Sequence, residues 1–109
     1  MRKFYILCAA GLMFFTQTAF AQDVMRVAAN LGSQLGKATY CNFPTDEFSG
    51  LSGKALDSLT TYGTPERGQA ITQYMTAAEM AAKSGPVVED CSEFRKGYME
   101  SLKFLRERY

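Results

Sequence analysis

The fold is decided by the last stretch of the chain, VVEDCSEFRKGYMESLKFLRERY, Val87 to Tyr109. Apolar or half-apolar side chains recur at Val87, Cys91, Phe94, Tyr98, Leu102, Leu105 and Tyr109. The steps are four, three, four, four, three and four, which lays one stripe along a helix of 3.6 residues per turn. The stripe includes a cysteine, and the sequence predicts a helix over about 86–108. Glu89, Asp90 and Glu93 stand early in it, and Lys103, Arg106 and Arg108 late. Both signs suit the helix dipole.

Three shorter helices are expected to pack on this one. Val24, Val27, Ala28, Leu31, Leu35 and Ala38 form the apolar face of a helix over about 23–40, with Asp23 able to cap it. Gly32 and Gly36 lie beside that face. Polar residues interrupt the run, so this Gly-x-x-x-Gly pair points to close backbone packing in a bundle rather than to a membrane motif. Asn42-Phe43-Pro44-Thr45 is a turn. Phe48, Leu51, Ala55, Leu59 and Tyr62 then mark a helix over about 46–62, with Thr45 as its cap and Gly63 as its stop. Thr64-Pro65-Glu66 restarts the chain as a capping hydroxyl, a proline at the first helical position and an acid. The third helix runs over about 65–83, with Ile71, Tyr74, Met75, Ala78 and Ala82 expected to face inward. No strand alternation or internal repeat appears. The reading is all-α: a small four-helix up-down bundle after an N-terminal signal peptide.

The N-terminal segment carries that last expectation. Met1-Arg2-Lys3 is a basic start, Phe4 to Phe15 is apolar, and Ala19-Phe20-Ala21 has the small-x-small pattern of a cleavage site. The apolar run is short of the about 20 residues that span a bilayer. Residues 1–21 are therefore expected to be removed, leaving residues 22–109 as a single helical domain with no stable membrane insertion. Loss of Arg2 and Lys3 from the twelve Lys/Arg leaves ten against eleven Asp/Glu, a net charge of −1. That balance gives no footprint for nucleic acid.

Of three cysteines, Cys8 falls within the removed segment. Cys41 and Cys91 remain, an even number in an exported chain, and are expected to form a disulfide. The pairing also fits the topology. With short connections, the end of the first helix and the start of the fourth lie at the same end of an up-down bundle. The expected location is periplasmic or secreted.

The chemistry points away from catalysis. The sequence has no histidine, hence no ordinary general base or imidazole metal ligand. With both cysteines bridged, thiolate chemistry goes too. Glu89, Asp90 and Glu93 lack the oxygen-rich loop calcium needs, and the methionines are too scattered for a copper(I) site. No cofactor and no metal is expected, and no enzyme activity.

The residues left over from the core suggest contacts instead. Phe104 points about 120° from the centre of its helix stripe, Met80 lies about half a turn from Ile71 and Ala78, and Phe43 sits in a turn. Phe43, Met80 and Phe104 are the candidate partner-binding residues. The leading expectation is an exported, non-enzymatic protein that binds another protein, as an immunity or inhibitor protein or an accessory subunit of an envelope or secretion system does. The alternatives are an acid- or envelope-stress chaperone and a small carrier of apolar ligands between alanine-rich helices. The pattern also allows a homodimer.

Overall fold

The structure is a computed structural model that describes residues 23–109. The segment read as a signal peptide lies outside the described residues. Four helices make up the rest: α1 over residues 23–40, α2 over Asp46–Leu59, α3 over Pro65–Ser84 and α4 over Cys91–Arg108. There is no strand among the described residues. Cys41 and Cys91 are joined by a disulfide, with their Cα atoms 5.7 Å apart.

The helices alternate in direction. Cys41 at the end of α1 meets Cys91 at the start of α4, while Val27 shares a groove with Arg108 at the other end. Arg67 near the start of α3 pairs with Asp57 near the end of α2. The spacing is uneven. α1 lies against α3 through Gly32 and Gly36, where an added methyl group would overlap the carbonyl oxygens of Tyr74 and Ala78 respectively. Only glycine lets two helix backbones come this near. α4 meets α1 through Lys37, Gln34 and Val27, roughly half a turn around α1 from the two glycines at 100° per residue. α3 and α4 therefore flank α1 and make no close backbone approach to each other.

Two apolar clusters fill the bundle. The larger joins Leu31 and Ala38 of α1, Phe48 and Ala55 of α2, and Phe94, Tyr98, Leu102 and Leu105 of α4. The smaller joins Val24 and Ala28 to Leu56 and Ala70 at the opposite end from the disulfide. Tyr74 packs against both. The α4 stripe is buried as its periodicity requires from Phe94 to Leu105.

Several expectations need correction. Val87 is 85% exposed, because α4 begins only at Cys91. The Asp90 carboxylate accepts a hydrogen bond from the Glu93 backbone N–H at 2.8 Å, which fixes the cap there. α2 ends at Leu59, not residue 62. Thr60 is extended, and Gly63 serves the following turn with φ of 82°. Tyr62 is therefore outside the helix and exposed. Thr45 makes no side-chain cap, whereas the Thr64 hydroxyl accepts from Arg67 N–H.

On α3, Ile71 and Met75 are exposed, and Ala70 and Ala81 are buried in their place. The inward face is turned by roughly a fifth of a turn at 100° per residue. Against the glycines of α1 there is room only for alanine, so the larger side chains are displaced outward. Leu59 and Val27, both read as inward, are also partly open.

Candidate functional site

The three candidate residues line three different concavities. Phe43 is partly buried and packs against the larger apolar cluster. Its ring lies parallel to Phe94 with centroids 6.1 Å apart, and 5.9 Å from Tyr98. The turn that holds it is closed by Phe43 N–H donating to the Ala38 carbonyl at 2.9 Å and by Asn42 in the left-handed region, φ 60°. The Tyr98 hydroxyl donates to the Pro44 carbonyl at 2.8 Å, tying α4 to the same turn. Burial pushes the Tyr98 phenol up from its ordinary value, and Glu47 and Tyr74 add to the effect.

Phe43 also forms one wall of a groove of about 620 Å³ between the 42–44 turn, the start of α2 and α4. Its other apolar walls are Tyr98, Met99 and Leu102. Across it, Arg106 grips Glu47 with one guanidinium edge, Nε donating to Oε2 at 2.7 Å and Nη2 to Oε1. The Arg106 hydrogen bond holds the Glu47 carboxyl below its ordinary value, against a smaller opposing effect of desolvation.

Met80, 66% exposed, borders a shallower groove between α1 and α3. The floor is made of small residues, Ala29, Ser33, Ala77 and Ala81, with Lys37 and Val87 at the edges. Such a floor offers little depth, because the two backbones are already in contact beneath it.

Phe104 lies in the most apolar of the three. A groove of about 580 Å³ runs between α1 and α4 with the end of α2 below it. Leu31, Ala55 and Leu105 form its floor, Val27 and Leu59 its walls, and Tyr109 closes one end. Phe104 is 56% exposed, with the Arg108 guanidinium 5.6 Å from its ring centroid. The Ser58 hydroxyl donates to the Tyr109 hydroxyl at 3.3 Å and holds that end. Val27, Leu59 and Tyr109 were counted as core in the sequence. Val27 and Leu59 lie at the edges of their stripes at 100° per residue, which is the signal in the sequence for their outward tilt.

Among the described residues no group of three or more Asp, Glu, Cys or His side chains is placed to hold a metal ion. No described helix is long and apolar enough to cross a membrane. No family model, curated protein or solved structure matches this chain.

Proposed function

We propose that this chain is an exported, non-enzymatic protein that acts by binding another protein, which docks on the α1–α4 groove around Phe104. The single observation that carries the reading is this groove. An aromatic ring more than half exposed stands beside two open aliphatic side chains, Val27 and Leu59, over an apolar floor. A contiguous apolar patch of this kind marks an interaction surface more often than scattered single residues do.

Phe104 is 56% exposed, so burying the rest of its ring against a partner is worth about 1–1.5 kcal/mol. Two antiparallel helices with a cleft between them suit an amphipathic helix from the partner, laid along the cleft. The polar rim, with Gln34 on the α1 wall, Glu100 on the α4 wall and Arg108 at one end, would set its register.

Export is supported by the N-terminal pattern and by a disulfide that persists only in an oxidising compartment. Binding as an inhibitor or immunity protein, or as an accessory subunit of an envelope or secretion system, fits a small rigid bundle without a catalytic constellation. The apolar-carrier alternative draws no support from the α1–α3 seam, where the backbones are in contact at Gly32 and Gly36.

The test is affinity capture from an envelope extract of the source cells, with the oxidised protein and its Phe104→Glu variant side by side. The reading expects one stoichiometric partner retained by the parent protein and lost by the variant, whose melting temperature is unchanged. Equal retention by both would refute docking at Phe104. A broad mixture that grows as the pH falls would favour the chaperone instead.

A further inference from the structure

We propose that export leaves this chain with a pyroglutamyl end at residue 22, formed when the Gln22 side chain closes on its own α-amino group. The proposal rests on the export reading above and is independent of the Phe104 groove.

The sequence sets the chemistry. The Ala19-Phe20-Ala21 pattern places cleavage after Ala21, which makes Gln22 the first residue. A glutamine in first position carries a free amine and a side-chain carboxamide at the spacing of a five-membered ring. Such intramolecular placement favours closure. The amine nitrogen attacks the side-chain carbonyl carbon Cδ. A new C–N bond forms there, the bond to the side-chain nitrogen breaks, and ammonia leaves with the displaced proton. Nothing is oxidised or reduced, and no co-reactant is needed. The product is a neutral lactam.

The structure gives this ring its consequences. Gln22 lies outside the described residues, and α1 begins directly after it at Asp23. A free ammonium at residue 22 adds positive charge at the positive end of the α1 dipole, the unfavourable sign. Asp23 is the carboxylate of that first turn, and its Oδ1 already faces Arg26 Nη1 at 3.9 Å. Closure removes the amine charge, as terminal acetylation does. The side chains of Asp23 and Arg26 are 70% and 79% exposed, so this turn is open to solvent.

The open end stands close to the core. Val24, two residues after Gln22, is 3% exposed and packs with Ala28, Leu56 and Ala70 in the smaller apolar cluster. An aminopeptidase engages a free terminal ammonium and removes one residue per cycle. Trimming past Asp23 would take Val24 out of that cluster and leave a void that destabilises the fold. The lactam withholds the ammonium and so guards the cluster.

The test is intact-mass and N-terminal peptide spectrometry of the protein purified from the envelope fraction of the source cells, after expression of the full chain. The expected result is a chain starting at residue 22 whose mass is about 17 Da, one ammonia, below that of unmodified residues 22–109. It should resist an aminopeptidase that trims the Gln22→Ala variant. A chain starting at Gln22 with its full mass would overturn the proposal and leave the export reading standing. A chain starting elsewhere would overturn it through its premise, cleavage after Ala21. A deficit absent from freshly lysed cells and growing on storage would assign the ring to handling, and the proposal would fall.

Discussion

Gly36 of α1 lies so close to α3 that a methyl group in place of its hydrogen would overlap the Ala78 carbonyl oxygen. The same methyl would come within 2.7 Å of the Ala81 side chain. The obstruction is backbone, which cannot swing aside. Gly36→Ala should therefore destabilise the protein by about 2 kcal/mol or more, despite alanine's better helix propensity. Gly53→Ala in α2 meets nothing within 4 Å and should stabilise by about 0.5–1 kcal/mol. Urea melts of the two variants check this opposition of sign. Equal effects would mean that α1 and α3 are not in backbone contact.

Reducing the Cys41–Cys91 bridge opens a loop of 50 residues. Chain entropy puts the loss at about 4 kcal/mol, a large share of what a domain of this size holds in reserve. The Cys41→Ser, Cys91→Ser double variant should show a markedly lower denaturation midpoint, equal to that of the reduced parent protein. A midpoint unmoved by reductant would contradict the role given to the bridge.

Phe43 offers a way to separate core from surface. Its ring touches Phe94 and Tyr98 and is only partly accessible. Phe43→Ala should cost about 2 kcal/mol, less than the 3–5 kcal/mol of a fully buried phenylalanine. Phe104→Ala should leave the denaturation midpoint within about 0.5 kcal/mol of the parent, as for an ordinary surface change. A destabilising Phe104→Ala would place that ring in the core and weaken its assignment to an interface.

Much of this architecture was legible in the sequence, and the misreadings share a cause. The α4 stripe from Phe94 to Leu105 is buried because its period is strict and its side chains are large. Gly32 and Gly36 were readable as a close approach, since glycine in a helix has a propensity cost that packing must offset. That approach then turned α3, so alanines face inward and Ile71 and Met75 do not. Apolar periodicity cannot foresee this, because it ranks residues by hydrophobicity, not by the room a neighbour leaves. Val87 was misplaced for a different reason. The capping signal Asp90-x-x-Glu93 was present, but the apolar spacing from Val87 to Cys91 masked it. At the candidate site, Phe104 was readable as outside the stripe. Its companions Val27 and Leu59 showed only as the edges of their stripes, since how far they open depends on how far α1 and α4 stand apart.

The Glu47–Arg106 pair makes a pH-dependent contribution. The Arg106 hydrogen bond lowers the folded-state pKa of Glu47 from its ordinary 4.5. Folding is favoured by this pair above that value, and the benefit is lost as the pH falls through the lower folded value. The stability difference between the parent protein and Glu47→Gln should therefore shrink as the pH drops from neutral to well below 4.5. Melts across that range would show it. A constant difference would mean that the pair contributes nothing, as many exposed pairs do.

Docking at the α1–α4 groove is tested most directly by photo-crosslinking in the source cells. A photoreactive residue would replace Phe104, Leu59 or, as a control on the far face of α2, Lys54. The groove account predicts one shared adduct from positions 104 and 59, and none from 54. An adduct common to all three positions, or none from the two groove positions, would contradict it.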